Sequence, residues 1–339
     1  MKFLKYIFLF LAVAIWIVSM SPKWSSQLAA ADSYRYGDLY RLSNLSEFKD
    51  PRKECIGYRV PQHPKFSKKV HLYVIGDSFT EKERIGKKDF VADEYTYVHW
   101  SEVLHIKPDT SQTNILLLEC VERHVREKFM APIKNLVPDS ATFKPKNAKL
   151  FMTELDDAFE SKKAENRIDE LLFQNDFILG LKELKSDFNY KVFGRTNKEV
   201  TSINNGKDLV YYMDTDTPET TSSFSKIKNS ALDSIVDNIN QTEQNAVKIG
   251  FDHVLLSIIP NKVSVLAPTY DVYNHLIDRI YAHPNLHLQY VDVYEDFKKL
   301  GNKSYLKGDS HWTCEGQYLW LNKVNHKIIR ILQLNQLPF

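Results

Sequence analysis

Strands alternate with helices through the C-terminal third of the chain, and this pattern limits the possible fold more than any other feature. A helix is predicted to begin at a Ser222 or Ser223 cap, to run to about Lys248 and to stop at Gly250. The alternation implies an α/β fold with a mostly parallel sheet that is covered by helices on both faces. The segments that follow are two strands, Asp252–Ile259 and Leu286–Val293, and two helices, Tyr270–Ala282 and Gly316–Leu332.

Two segments nearer the N-terminus predict further strands of the same sheet. Val70–Ile75 is mainly apolar and is followed by Gly76, whose backbone freedom suits a sharp turn. Asn114–Cys120 is apolar for most of its length, which is typical of a strand buried on both faces. Tyr95–Trp100 fits either a helix or a short strand. In such sheets ligands bind outside the carboxyl ends of the strands, so residues that follow these strands are the first candidates for a site.

The rest of the chain is less regular. Residues 24–65 are rich in serine, charge and proline and predict an irregular tether, and residues from about 130 to 220 predict an insertion. Inside the insertion, Ala164–Phe188 has helical apolar spacing with an expected break at Gly180, and Lys207–Met213 is a candidate hairpin strand. The predicted organisation is an anchor or signal at 1–23, a tether at 24–65, and an α/β domain at 66–339.

The N-terminus carries a targeting signal. Met1–Lys5 is basic and Tyr6–Met20 is an uninterrupted apolar run, which flanking residues extend toward the length of a bilayer-spanning helix. We expect an uncleaved membrane anchor. The alternatives are a signal peptide cleaved after Ala29–Ala31 and a buried helix. In the first two cases the remaining chain lies on the extracytoplasmic side of the membrane.

Charge, cysteine and histidine content argue against several classes of function. The 45 lysines and arginines nearly balance the 43 aspartates and glutamates, and no basic run is interleaved with aromatic residues, which argues against nucleic-acid binding. Three cysteines without a CxxC pair allow at most one disulfide and show no zinc signature, and Cys120 is expected to be a small buried residue. The eleven histidines include no HExxH motif. We therefore expect neither a metal nor a cofactor.

A hydroxyl, a carboxylate and an imidazole occur in two short motifs at opposite ends of the chain. Ser78 lies in Val-Ile-Gly-Asp-Ser-Phe at residues 74–79, and Asp309 and His311 lie in Gly-Asp-Ser-His-Trp at residues 308–312. Residues i and i+2 of an extended segment point to the same side, so Asp309 can orient His311 while the other ring nitrogen faces Ser78. These are the parts of a nucleophilic acyl-transfer site. The alternative is an ordinary turn after a strand and an exposed histidine near a helix start.

The turn around Ser78 offers further candidate groups. The backbone amides of Ser78 and Phe79 are candidate donors to an oxyanion, because they lie in a turn beside a predicted helix start. Asp77 is expected to stabilise the turn rather than to take part in the reaction. Trp312, beside His311, is expected to form a wall of the site.

Four residues after later strands are candidate substrate or oxyanion contacts. Glu122 and Arg123 follow a buried strand; they are expected to form an ion pair, to aim the guanidinium at an anionic group, or to make a surface salt bridge. Asn261 and Lys262 follow another strand and are candidate substrate contacts, although a loop with a solvated lysine is the preferred interpretation.

These motifs resemble the SGNH (GDSL-type) hydrolase superfamily over roughly residues 66 to 335. The similarity is greatest to membrane-anchored proteins of the alginate O-acetylation type (the DHHW family) and to the related DltD proteins of teichoic-acid D-alanylation. The Asp-x-His-Trp motif is its most specific part. The resemblance rests on Gly76–Phe79, Glu119 with Glu122 and Arg123, Pro260–Lys262, Asp309–Trp312 and the helical segment between Glu170 and Gly194.

The resemblance implies a three-layer α/β/α flavodoxin-like sheet and a triad of Ser78, His311 and Asp309. It further implies O-acylation of a cell-surface polymer alongside a multi-spanning membrane-bound O-acyltransferase. We expect the acyl group to be acetyl and the polymer to be a polysaccharide, with another surface polymer as the alternative. Two features depart from the pattern. The serine motif comes first here, whereas alginate acetylation proteins place Asp-x-His first, and the superfamily's Gly and Asn oxyanion blocks are not recognisable, with Arg123 as the candidate replacement.

The expected function is therefore that of an anchored serine O-acyltransferase or esterase on the extracytoplasmic side. The alternative is a non-catalytic tether or polymer-binding subunit of a membrane O-acylation assembly.

Overall fold

The computed structural model describes residues 2–28, 35–51, 53–82, 84–138, 164–173 and 176–334. The chain divides into two compact units. Residues 53–142 with 198–339 form the unit that contains the central sheet, and this unit is called the sheet unit. Residues 1–52 with 143–197 form the unit that contains the N-terminal apolar helix, and this unit is called the helical unit.

Five parallel strands form the central sheet, in the order β2-β1-β3-β4-β5. The direction of strand order reverses between β1 and β3, which is the place where ligands of open α/β sheets bind. Two small pairs lie outside this sheet: Leu104–Ile106 with Leu136–Pro138, and the hairpin Val200–Ile203 with Asp208–Tyr211. The strands of the central sheet are β1 (Val70–Gly76), β2 (Glu94–His99), β3 (Thr113–Val121), β4 (His253–Ile259) and β5 (Gln289–Tyr290).

Eleven α-helices lie in the part of the chain that the structure describes. They are α1 (Lys2–Met20), α2 (Pro22–Leu28), α3 (Asp38–Ser43), α4 (Glu122–Lys128), α5 (Ala164–Phe173), α6 (Asp176–Phe193), α7 (Asn229–Ile249), α8 (Lys262–Leu266), α9 (Leu276–Tyr281), α10 (Tyr294–Leu300) and α11 (Cys314–Leu334).

The strand predictions are confirmed where burial is greatest. Strands β1, β3 and β4 lie where continuous apolar segments predicted them, and their side chains are buried almost throughout. Tyr95–Trp100 is largely strand β2 and not a helix. The strand predicted at Leu286–Val293 is shortened to β5, because only Gln289 and Tyr290 pair with β4 at this edge of the sheet.

The helix predictions are confirmed at the end of α7 and wrong at its start. Gly250 ends the helix with a left-handed φ of 119°, a conformation that glycine adopts readily. The helix begins at Asn229 and not at Ser222 or Ser223, because Ser222 closes a local turn and Ser223 bonds to Ser264.

Two other predicted helices differ from expectation only in length. The helix expected at Tyr270–Ala282 is reduced to α9, whose first amide donates to the Asn274 side chain. The last helix, α11, is slightly longer than expected. The apolar faces of α7 and α11 join the core of the sheet, and Trp320 of α11 donates to Ser257 in β4.

One disulfide closes the sheet unit. Cys55, in the segment before β1, is bonded to Cys314, the first residue of α11, and their Cα atoms are 5.3 Å apart. Cys120 in β3 is a free thiol with no exposed surface, as expected, and burial raises its pKa well above the ordinary value. The single bridge therefore holds the start of α11, three residues beyond His311.

Among the described residues, one helix, in the helical unit, is long and apolar enough to cross a membrane. Phe3–Met20 has a mean hydropathy of 2.2, and 6% of it is buried. A signal sequence near the N-terminus has the same properties. The Arg167 side chain of α5 donates to the Ser19 carbonyl at the end of α1, 2.6 Å away.

The irregular tether predicted at 24–65 is confirmed over residues 53–65, which form no helix or strand, but its first part contains the end of α2 and all of α3. The break predicted at Gly180 is wrong, because Gly180 lies within α6. The expected cleavage site at Ala29–Ala31 lies outside the described residues. The predicted hairpin strand near Lys207–Met213 is present as Asp208–Tyr211, and it belongs to the sheet unit.

Candidate active site

The turn that carries Ser78 follows β1 directly and is fixed by carboxyl groups. The Asp77 amide donates to Oε2 of Glu119, 3.0 Å away. The Asp77 carboxylate accepts the amide of Phe79 through Oδ1 at 3.0 Å and the amide of Val121 through Oδ2 at 3.1 Å. Asp77 therefore stabilises the turn, as expected, and ties it to the end of β3.

The loop that carries Asp309 and His311 is fixed by a buried ammonium group. Lys262, at the start of α8, is 2% exposed, and its Nζ donates to three backbone carbonyls of this loop. The acceptors are Leu306 at 2.7 Å, Lys307 at 2.9 Å and Asp309 at 3.2 Å. The prediction of a solvated lysine is wrong, because the loop surrounds the side chain and uses its charge to satisfy inward-pointing carbonyls.

The two motifs meet in space. Nε2 of His311 lies 2.7 Å from Oγ of Ser78, and Nδ1 lies 2.5 Å from Oδ1 of Asp309. The same carboxylate oxygen also accepts the backbone amide of His311 at 2.9 Å. His311 and Asp309 are buried and Ser78 is partly exposed. The three groups therefore form a relay in which only the Ser78 end is accessible to solvent.

The charge of Asp309 sets the tautomer of His311. Burial opposes ionisation of Asp309, but the hydrogen bond and the charge of His311 outweigh it and hold the pKa of this carboxyl well below its ordinary value. An ionised carboxylate only accepts hydrogen bonds, so Nδ1 of His311 carries the proton. Nε2 is then left as the acceptor for the Ser78 hydroxyl proton, which is the arrangement needed for general-base catalysis.

Aromatic rings hold the imidazole from the side of the core. The Phe79 ring lies 4.7 Å from the His311 ring and 5.0 Å from the Trp312 ring, centroid to centroid. Trp312 is buried and packs in turn against Trp320 of α11. Phe79 and Trp312 thus act through packing. The Phe79 amide, an expected oxyanion donor, already donates its hydrogen bond to Asp77, so that prediction is wrong.

Arg123 is committed to a partner that the sequence did not indicate. Its Nη1 lies 3.2 Å and 2.9 Å from the two carboxylate oxygens of Asp214, and both residues are buried. The guanidinium also lies over the Tyr211 ring at 5.1 Å. The predicted surface salt bridge and the predicted pair with Glu122 are both wrong. Asp214 takes up Nη1 of the guanidinium, and a contact of Arg123 with an anion or oxyanion stays a prediction.

Glu122 and Asn261 lock the ends of β3 and β4 together. Glu122 accepts the amide of Asn261 at 2.9 Å, the hydroxyl of Ser264 at 2.5 Å and the hydroxyl of Tyr273 at 2.9 Å. The Asn261 side chain accepts the amide of Arg123. Burial raises the pKa of Glu122 to about 7, although these hydrogen bonds act in the opposite direction. The expected substrate contacts of Glu122 and Asn261 are thus replaced by structural ones.

The Ser78 amide is the one expected oxyanion donor that is left without an acceptor within the described residues. This amide belongs to the residue whose hydroxyl would attack the acyl carbon. It can therefore donate to the oxygen of that carbon as negative charge develops there.

The sequence did not predict the contacts of two residues near the site, Glu119 and Asp214. Glu119 interrupts an apolar strand, and such an acidic residue at a buried position is a signal that could have been used. No local pattern marks Asp214.

A hydroxyl, a base and an acid in relay order can carry out acyl transfer through a covalent intermediate. Comparison with family models, with curated proteins and with solved structures finds no match to this chain. The chemistry assigned to the site therefore rests on its own geometry.

Proposed function

We propose that this protein is a membrane-anchored serine O-acyltransferase or esterase that works on the extracytoplasmic side and acts on acyl esters of a cell-surface polysaccharide. The single observation that carries the proposal is the relay of Ser78, His311 and Asp309, with contacts of 2.7 Å and 2.5 Å. A relay between residues separated by 233 positions in sequence, with an ionised acid behind the imidazole, is the arrangement that activates a serine nucleophile.

The mechanism follows from the positions of the protons. His311 takes the Ser78 proton on Nε2 as Oγ attacks the acyl carbonyl, and Asp309 stabilises the resulting imidazolium. The Ser78 amide donates to the oxyanion. His311 then protonates the departing alcohol as its bond to the acyl carbon breaks, which leaves an acyl-serine. In the second half, His311 deprotonates a sugar hydroxyl or water, which attacks the acyl-serine and releases Ser78 with its proton restored.

The proposed fold family is the SGNH hydrolase superfamily. The order β2-β1-β3-β4-β5 is that of a flavodoxin-like sheet, and Ser78 follows the strand at the point where the order reverses. Both features support membership. The Gly and Asn oxyanion blocks are not recognisable and Nη1 of Arg123 is bonded to Asp214, so in this proposal the Ser78 amide carries more of the oxyanion stabilisation than it would in a member with complete blocks.

The proposed location and partners follow from the anchor and the disulfide. The length and apolarity of α1 support a single membrane span, and the Cys55–Cys314 bridge supports an oxidising compartment outside the cytoplasm. A multi-spanning membrane-bound O-acyltransferase is the proposed partner that supplies the acyl group. A cell-surface polysaccharide or other surface polymer is the proposed acceptor in a transfer reaction and the proposed ester substrate in a hydrolysis.

The test uses the full chain in detergent, exposed to a fluorophosphonate probe and to a chromogenic acetate ester. We expect the probe to label Ser78, and we expect both labelling and ester release to be lost in Ser78→Ala and His311→Ala. An unlabelled wild-type chain that also releases no acetate would contradict the proposal.

Measurements in cells separate this function from that of a non-catalytic tether. Polymer acylation should fall in Ser78→Ala and His311→Ala as far as it falls when the whole chain is deleted. Normal acylation in both variants, with loss only on deletion, would instead identify a tether or polymer-binding subunit.

A further inference from the structure

A buried glutamate lies directly behind the nucleophile turn. Glu119 of β3 has no exposed surface and sits in an otherwise apolar strand. Its Oε2 accepts the Asp77 amide at 3.0 Å and the Thr80 hydroxyl at 2.8 Å. Its Oε1 is also buried and accepts no hydrogen bond within the described residues. One oxygen of this carboxyl group therefore behaves as an acceptor and the other does not.

The carboxylate of Asp77 makes an ionised Glu119 costly. Asp77 uses both of its oxygens to accept backbone amides, as an ionised carboxylate does. Glu119 is buried and Asp77 is half-buried beside it. Two neighbouring carboxylates repel each other, and one of them normally keeps a proton. Burial first, and then the charge of Asp77, raise the pKa of Glu119 well above its ordinary value.

A neutral Glu119 explains why its two oxygens differ in their hydrogen bonds. In a protonated carboxyl group the carbonyl oxygen accepts hydrogen bonds and the hydroxyl donates one. Oε2 already has two donors, so the proton belongs on Oε1, and the Asp77 side chain lies close enough to hydrogen-bond with this carboxyl group. The buried oxygen that otherwise lacks a partner then becomes a donor.

We propose that Glu119 is a neutral positioning acid whose Oε1 proton is shared with the Asp77 carboxylate and holds in place the turn that presents Ser78. Glu119 touches neither the substrate nor the reacting atoms. It acts through Asp77, whose amide and carboxylate define the turn on either side of the nucleophile.

The packing around Gly76 shows how closely the turn fits this carboxyl group. A Cβ atom at Gly76 would lie 2.0 Å from Oγ1 of Thr80 and 2.9 Å from Oε2 of Glu119. The carboxyl and hydroxyl groups thus occupy the space that a side chain at Gly76 would need. A turn packed this closely has little freedom to rearrange around a second negative charge.

Among the described residues, the ionisable neighbours of Glu119 supply no positive charge, and the charge of Asp77 opposes the loss of its proton. Asp77 faces it from the turn, Cys120 is its neighbour in β3, and Tyr95 and Tyr97 lie in β2 on the far side of β1. Tyr97 donates its hydroxyl to the carbonyls of Gly76 and Asp77 and so braces the same turn. Each of these side chains is neutral or negative. Ionisation of Glu119 at alkaline pH should therefore disrupt the turn and slow the reaction of Ser78.

The first test compares an amide with an apolar side chain at this position. In Glu119→Gln, the amide oxygen accepts from Asp77 and Thr80 and the NH2 group donates to the Asp77 carboxylate, so the variant copies the protonated acid. We expect its fluorophosphonate labelling rate at neutral pH to stay near that of wild type and to persist at alkaline pH, where the wild-type rate declines. Glu119→Leu should lose on the order of tenfold or more, because donors are left without acceptors.

Loss of labelling in Glu119→Gln equal to that in Glu119→Leu would overturn the proposal, because it would mean that the turn needs a carboxylate. An alkaline decline that is unchanged in Glu119→Gln would overturn it as well. A role in folding alone would not alter the pH profile.

The second test does not depend on the reaction, whereas the labelling test rests on the proposed function. The infrared difference spectrum of wild type minus Glu119→Gln at neutral pH should contain a protonated carboxylic acid carbonyl band, and so should the same difference taken in a Ser78→Ala background. Glu122, whose pKa is about 7, contributes to both members of each pair and cancels. A wild-type spectrum identical to that of Glu119→Gln would overturn the inference. If the chain instead shows the band but does not react with the probe, the proposed function fails while the neutral acid stands.

Discussion

The turn that carries Ser78 and the loop that carries Asp309 and His311 are both held by ionisable side chains, but of opposite kinds. Glu119 and Asp77 accept the amides of Asp77 and Phe79 in the turn, and Asp77 also accepts the amide of Val121 at the end of β3. Lys262 donates to inward-pointing carbonyls of the loop. The polarity of the backbone groups that each segment turns inward thus decides which kind of side chain can hold it.

This difference also affects the chemistry of the site. On the nucleophile side the carboxyl groups take up the amides around Ser78 but leave the Ser78 amide for an oxyanion. On the acid–base side the ammonium group takes up carbonyls and leaves the Asp309 carboxylate to His311. If this comparison is right, variants of the turn and variants of the loop should impair the reaction in different ways. The expected loss of rate decreases from the acid of the relay to the residues that only support it.

The largest effect is expected at the acid of the relay. Asp309→Asn should lower the labelling rate of Ser78 by on the order of 10³–10⁴-fold, because an amide beside Nδ1 favours the wrong histidine tautomer. The measurement is the rate of fluorophosphonate labelling, with thermal unfolding to check the fold. Asp271→Asn, at an exposed position, is the matched control and should label at the wild-type rate. Equal rates in the two variants would remove Asp309 from the mechanism.

A smaller effect is expected where the loop is held. Lys262→Met keeps the length of the side chain but leaves three carbonyls without their donor, so the relay should shift and kcat/KM for the acetate ester should fall by about 10²-fold. Lys262→Arg, which restores a cationic donor, should recover part of the loss. A methionine variant with wild-type kcat/KM would show that the loop needs no cation.

The disulfide should affect stability far more than rate. It holds the start of α11 just beyond the acid–base loop, so replacing both Cys55 and Cys314 with serine should lower the free energy of unfolding by about 2–4 kcal/mol. Urea unfolding with and without a reductant measures this. Cys120→Ala, which keeps the bridge, should still respond to the reductant, whereas the double variant should not. A double variant as stable as wild type would count against the bridge as a support of the loop.

The smallest effect on the reaction is expected at Glu122, where the change appears in the pH dependence of stability. Burial raises the pKa of Glu122 from 4.5 to about 7 in the folded state. Between these values the folded chain keeps a proton that the unfolded chain releases, so the free energy of unfolding should fall as pH rises and then level off. The fall attributable to this group is about 3 kcal/mol.

Glu122→Gln tests this contribution because it removes the titrating group while keeping an amide oxygen as acceptor. Urea unfolding at several values between about pH 4.5 and 8 should give a shallower decline in the variant than in wild type. Parallel curves for the two proteins would show that Glu122 is ionised throughout this range.

Local sequence patterns were sufficient for much of the sheet and for one half of the relay. Strands β1, β3 and β4 were predictable because strands buried on both faces require nearly continuous apolar runs. Gly250 was predictable as a helix end because its left-handed φ suits glycine. The spacing of Asp309 and His311 makes their hydrogen bond a local one, so it too was visible in the sequence.

The partners of the buried charges were decided by the tertiary structure alone. Arg123 meets Asp214 across 91 positions, and Cys55 meets Cys314 across 259. Lys262, expected in solvent, is buried by a loop 44 to 47 residues further along the chain. The periodicity of a sequence indicates which face of a helix or strand is apolar. The partner of a buried charge, in contrast, is whichever group the fold brings close to it. The sequence alone therefore determined the strands and the nature of the reacting groups, and the fold determined what surrounds them.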